Sequence, residues 1–117
     1  MVKLIIMIEE LESWDTFEAT WPRFLHLAES MPGLRREATS RIDTILYGDI
    51  RAGMVHELFF DNLEAAKKAM ASVEGRAAGA LLQGMTGGRV ALFLADHKED
   101  DLSNIAKFKS QTGSQTT

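Results

Sequence analysis

Leu27-Ala28-Glu29-Ser30-Met31-Pro32-Gly33-Leu34 closes a helical pattern, breaks it and launches a strand. The residue before a proline avoids α geometry, and Gly33 tolerates positive φ. The helix therefore ends at Pro32-Gly33. Before this hinge the chain reads as strand then helix. After it come strand, strand, helix and strand.

Working back from the hinge, Phe17, Trp21, Phe24 and Ala28 recur at helical spacing, with Leu25 beside them, and form one apolar stripe. Asp15-Thr16-Phe17-Glu18 has the spacing of a capping box at the start of this helix. Pro22 lies inside the stripe and lacks a backbone donor, so a kink or a fresh helix start is expected there. His26 falls opposite the stripe if the helix is continuous. Residues 2–8 are apolar on both parities (Leu4, Ile6, Ile8 against Ile5, Met7), the pattern of a central strand covered on both faces.

Working forward, residues 36–47 read as a second strand, more polar than the first, as suits a sheet edge. Residues 48–53 form a hairpin loop, and residues 54–60 a third strand with Val55, Glu57 and Phe59 on one face and His56, Leu58 and Phe60 on the other. Asp61-Asn62-Leu63-Glu64 repeats the capping-box spacing. Leu63, Ala66, Met70 and Val73 form the buried stripe of the next helix. Glu74-Gly75 interrupts it, and residues 76–85 continue as a further helical segment. After Thr86-Gly87-Gly88, residues 89–95 are again a strand apolar on both parities. Residues 1–96 form one domain. Residues 97–117 read as a C-terminal arm, with Ile105, Ala106 and Phe108 available to pack, and a disordered tail from residue 109.

Composition narrows the function. At 117 residues the chain is long enough to bury a core without staples. Thirteen basic against 17 acidic residues give a net charge of −4, and no basic cluster is present, which argues against nucleic acid as a partner. There are no cysteines, hence no disulfide frame and no thiolate chemistry. The apolar start is too short for a signal peptide, because Glu9 and Glu10 follow at once. No apolar run approaches the ~20 residues that cross a bilayer. A cytoplasmic protein is expected.

The order β-α-β-β-α-β is the ferredoxin-like, split βαβ arrangement: an α+β fold with a four-stranded antiparallel sheet and helices on one face. The other face would meet water in a monomer, yet three strands are apolar on both parities. Packing two such sheets face to face buries both open faces and closes a barrel. A homodimer is therefore expected.

An ordered set of pieces resembles the EthD family of dimeric α+β barrel proteins, named for ethyl tert-butyl ether degradation. The pieces are Met1-Val2-Lys3-Leu4-Ile5, Phe17 with Trp21, the hinge from Leu27 to Arg35, Glu57-Leu58-Phe59-Phe60-Asp61, Ser72-Val73-Glu74-Gly75, and the Gly87-ended run into the last strand. The resemblance implies a dimeric barrel with a pocket in each subunit between helices and sheet. Functions in the wider superfamily include accessory proteins of degradation operons, monooxygenases without metal or flavin, lactone isomerases, and dehydratases or cyclases of aromatic polyketides. Two positions depart from the family pattern. Phe24 stands where a histidine is usual, with His26 in place of the following proline, and Leu81 stands where many relatives carry an aspartate.

Glu57 is the first candidate for chemistry. Beside Val55 and Phe59, an apolar pocket would raise its pKa and suit it to proton shuttling; the alternative is an ion pair with Arg41 or Arg89. His26 would replace the family histidine if a kink at Pro22 turned it inward. His56 points to the opposite face from Glu57, where a neutral, hydrogen-bonded imidazole is the usual outcome. Trp21, Phe24, Tyr47 and Phe59 are candidate ligand contacts, Tyr47 through its hydroxyl. His26, His56 and His97 lack metal-site spacing, so neither a metal nor another cofactor is expected. Gly84-Met85-Thr86-Gly87-Gly88-Arg89 lacks the Lys-Ser/Thr of a phosphate loop. Two functions stand open: a small enzyme or accessory protein acting on a hydrophobic, aromatic or polyketide-like compound, and a non-catalytic dimer that binds a ligand or a partner protein. Phe24 and Leu81 favour the second.

Overall fold

A computed structural model describes residues 1–101. The expected arm at Ile105, Ala106 and Phe108 and the tail after it lie outside the described residues. The elements are β1 (Val2–Glu9), α1 (Asp15–Glu29), β2 (Arg36–Arg41), β3 (Ala52–Phe60), α2 (Leu63–Ala71), α3 (Val73–Thr86) and β4 (Val90–Asp96). The sheet order is β2-β3-β1-β4, antiparallel throughout, which is the ferredoxin-like arrangement.

Register assigns the two faces. Leu4 lies between Leu58 and Leu94, and Ile6 between His56 and Leu92. This parity meets the helices: Leu4, Ile6, Ile8, Met54, His56, Leu58 and Phe60 are all buried. The other parity sets Ile5 between Glu57 and Phe93, and Met7 between Val55 and Ala91. No helix covers that face among the described residues. Phe17, Phe24 and Ala28 of α1 are buried against the sheet, as their spacing requires. Fully burying an aromatic of this kind contributes about 1.5–3 kcal/mol.

Several local expectations are corrected. The helix runs unbroken through Pro22, so there is no fresh start there. Trp14 holds the N-cap position of α1 without a side-chain cap, and Asp15 lies inside the helix. At α2 the cap is Asn62, whose side-chain oxygen accepts the Ala65 N–H at 2.8 Å. Asp61 is drawn instead to Arg35, which donates to both its carboxylate oxygens at 3.1 and 2.8 Å. Leu63 and Val73 are exposed, and the buried residues of α2 are Ala66 and Ala69. β2 ends at Arg41 rather than residue 47, and residues 42–51 form a long loop. Tyr47 is therefore not a strand residue.

Gly33 and Gly75 are among the glycines that geometry requires. Gly33 takes φ +81° at the hinge, the left-handed region that favours glycine. At Gly75 a Cβ would overlap the Ala69 carbonyl oxygen, where α2 gives way to α3. The break itself falls at Ser72, whose hydroxyl accepts the Gly75 N–H at 3.0 Å. Removal of the observed cap in Asn62→Ala is expected to cost about 1 kcal/mol in urea unfolding. Asp15→Ala, which removes a cap by spacing alone, should shift the midpoint far less.

Candidate functional site

A hollow of about 220 Å³ lies between the helices and the sheet. Leu4, Ile6 and Leu58 form its floor, Phe24 and Leu82 its sides, and Leu92 its margin at the β4 edge. Arg76 is the one charged residue among the described residues that line it. Leu92 is 48% exposed, so the hollow is uncovered toward that edge. Larger concavities of about 390, 410 and 280 Å³ lie at the base of loop 42–51, around Met1, Arg35 and Arg36, and between Leu11–Ser13 and Met85–Arg89.

Behind Phe24 sits a buried polar cluster. The Phe24 ring centroid is 6.0 Å from that of His56, and Trp21 meets the same imidazole at 5.1 Å with its plane nearly perpendicular. Trp21 stacks in turn between Phe17 and Phe24, at 5.1 Å from each. His56 is 0% exposed. Its Nδ1 lies 2.8 Å from the Thr39 hydroxyl. Its Nε2 lies 3.3 Å from Glu37 Oε2, at an angle that makes no hydrogen bond, so among the described residues both atoms are buried without a hydrogen-bond partner. Glu37 also shares a hydrogen bond with Glu29 at the end of α1.

The charges follow from this geometry. Burial pushes the His56 imidazole down to about 4, against the opposing pull of Glu29 and Glu57. Burial, then the hydrogen bond to Glu29 and its charge, raise Glu37 to about 7. The cluster thus keeps its proton on the carboxyl side and leaves the imidazole neutral. A carboxyl that titrates near neutrality beside a free imidazole nitrogen can take up and release a proton, which is the chemistry of a general acid–base pair.

The candidate residues read from the sequence divide among separate places. Trp21 and Phe24 lie on the helix side, and Phe24 lines the hollow. Glu57 and Phe59 lie on the opposite, open face. Glu57 is ion-paired there with Lys3 on the neighbouring strand, not with Arg41 or Arg89. Phe59 is buried under the Arg36 guanidinium at 4.2 Å and the His97 edge at 4.9 Å. His26 is exposed on the outer side of α1, where its carbonyl accepts the Ser30 hydroxyl at 2.8 Å. Tyr47 is 99% exposed at the tip of loop 42–51. Glu29 and Glu37 were not foreseen as site residues. Strand parity was a signal for Glu37, which it puts with Thr39 and His56 on the helix side; no such signal marked Glu29.

Comparison with known structures places this geometry. A crystal structure of an ethyl tert-butyl ether degradation (EthD) family protein from Bacillus halodurans C-125 matches with a TM-score of 0.77 and 27% identity, over 84% of this chain and 99% of that one. This chain is EthD-like. SnoaB, a cofactor-independent oxygenase from Streptomyces nogalater, matches with a TM-score of 0.65 and 15% identity over 85% of this chain and 94% of its own. A dimeric ferredoxin-like protein of unknown function from Jannaschia sp. CCS1 matches with a TM-score of 0.64 and 14% identity over 82% and 98%. These two likenesses carry the fold alone. No protein-family model and no curated protein sequence matches the chain.

The two shifted groups make a pH prediction. Glu37 binds its proton more tightly folded than unfolded, so its contribution is full below about 4.5 and is lost as pH rises through about 7. His56 binds its proton less tightly folded, so it penalises the fold at low pH and ceases to do so by about 6.5. The two oppose each other between about 4.5 and 6.5, and above that range Glu37 acts alone. Wild-type stability is expected to fall as pH rises from about 6.5 to 8. Glu37→Gln should remove that fall in urea titrations across the range.

Proposed function

We propose that this EthD-like chain is a homodimer in which each copy holds a small hydrophobic compound between its helices and its sheet. The observation that carries the reading is the lining of the hollow, apolar on every side except at Arg76. An apolar cavity of about 150 Å³ takes benzene, so about 220 Å³ suits a compound of one or two fused rings. The driving force is removal of apolar surface from water.

The dimer reading rests on the open sheet face. Ile5, Met7, Val55 and Phe93 share it, and a contiguous apolar face of that kind marks an interface on a soluble protein. The Jannaschia structure, described as dimeric, supports the same arrangement. A second sheet packed on this face would enclose the Lys3–Glu57 pair. Glu57 then serves the interface rather than a reaction. The absence of cysteine suits the reducing cytoplasm, and no helix among the described residues is long and apolar enough to cross a membrane.

Binding rather than catalysis is the better-supported role. No carboxylate or imidazole lines the hollow among the described residues. Phe24 and Leu81 stand where the family resemblance implies polar side chains. The second reading, a tailoring enzyme of degradation or biosynthesis, has one observation of its own: the unpartnered His56–Glu37 pair behind Phe24. A ligand that displaced the Phe24 ring would meet the His56 imidazole.

Naphthalene is a suitable probe. At a hundredfold excess over its Kd it should stabilise the wild-type protein by about 2.7 kcal/mol and raise the melting temperature accordingly. Leu82→Trp, which fills the hollow, should abolish the shift; an equal shift in that variant would place binding elsewhere. Incubating wild type and His56→Asn with a panel of aromatic compounds separates the two roles. Product that depends on His56 supports the enzyme, and recovery of every compound unchanged supports the binder.

A further inference from the structure

We propose that loop 42–51 of one copy seats against β4 of the second copy and closes the uncovered side of that copy's hollow. The inference rests on the homodimer reading and assigns the partner a part in the ligand site.

Two groups of large apolar side chains are left in water at opposite edges of the sheet. The first is the loop after the edge strand β2, where Leu46 is 93%, Tyr47 99% and Ile50 70% exposed. The second is the opposite edge strand β4, where Leu92, Phe93 and Leu94 are exposed on both of its faces. Among the described residues no strand pairs with the outer edge of β4, and a bare apolar edge is a liability that folded proteins cover. Among the described residues, nothing of the same chain covers either group.

A two-fold dimer offers the match. In an isologous contact, whatever one copy's loop does to its partner's β4, the partner's loop does in return. Two face-to-face sheets related by an axis along the strands bring the β2 edge of one copy over the β4 edge of the other. The loop leaves the sheet at the end where β1 finishes and β4 begins, since Glu9 pairs with Ala52 and Ile8 with Val90. It therefore reaches the partner beside Val90 and Leu92, not at the far end of the strand. An axis across the strands would stack β2 on β2 and leave both β4 edges bare.

Charge favours a second copy over a membrane surface. The segment from Arg41 to Arg51 carries Arg41 and Arg51 against Asp43 and Asp49, a balanced set with no attraction for anionic lipid. Leu92 joins this surface to the site. It lines the hollow and is half exposed, so a partner side chain lying over it becomes part of the ligand's enclosure. Tyr47, remote from its own chain's hollow, then has a place at the other one.

The chain has no cysteine, which makes disulfide trapping clean. Tyr47→Cys and Leu92→Cys chains are prepared separately, mixed, allowed to exchange and oxidised. A disulfide-linked dimer is expected from the mixture and not from Tyr47→Cys mixed with Lys67→Cys on the outer side of α2. The double variant Leu46→Ser/Tyr47→Ser should bind naphthalene at least about tenfold more weakly than wild type while its chain remains folded by circular dichroism. Sedimentation of the wild type as a monomer would remove the dimer reading itself. A wild-type dimer that crosslinks through Tyr47→Cys alone, or not at all in the mixture, overturns only the loop assignment. Flotation with phosphatidylcholine vesicles that depends on Leu46 and Tyr47 would assign the loop to a lipid surface and overturn it as well.

Discussion

A four-stranded sheet with apolar residues on both faces has to be covered twice. That constraint organises the molecule. α1, α2 and α3 cover one side, where Leu4, Ile6, Ile8, Leu58 and Phe60 are buried. On the other side the same strands present Ile5, Met7, Val55 and Phe93, with the Lys3–Glu57 pair among them. Among the described residues the helices cover one face only. The hollow is a consequence of how the first face is covered. α3 follows α2 through the Ser72 break, and the small side chains Gly75, Ala78 and Gly79 face the sheet across from Leu4 and Ile6 and leave space.

The second feature is a polar cluster where a core would be expected. Glu37 and Thr39 project from the edge strand beneath α1, and His56 projects from its neighbour. Burial there disfavours charge, and the carboxyl rather than the imidazole carries the proton. The aromatic ladder of Phe17, Trp21 and Phe24 covers the cluster and separates it from the hollow. Phe24 is thus both a wall of the hollow and a lid over the His56–Glu37 pair. In the proposed function, the choice between binding and catalysis turns on that ring.

Much of the fold was legible in the sequence, because it depends on periodicity and on the Pro32-Gly33 stop. The two-parity apolar strands, the α1 stripe and the hinge all act locally. The errors arose where a local signal met a tertiary competitor. Residues 42–47 have strand-forming side chains, but the last backbone bond to β3 is made by the Ile42 N–H to Gly53, at 3.0 Å. Asp61 has cap spacing, but Arg35 across the hinge takes its carboxylate. Ser72 rather than Gly75 ends α2, because a serine hydroxyl satisfies the new helix's first donors. The site was less legible than the fold. Glu57 and His26 were selected as isolated ionisable residues, yet they face opposite directions. Glu29 and Glu37 meet only because the hinge turns the chain back, a proximity that spacing along the strand or helix does not encode.

The most direct test of the central claim, that the open face is covered by a second copy, is sedimentation velocity of wild type and Phe93→Glu at micromolar concentration. Wild type is expected to sediment as a dimer, and Phe93→Glu, which puts a carboxylate on the apolar face beside Ile5, as a folded monomer. A wild-type chain that sediments as a stable monomer would contradict the account.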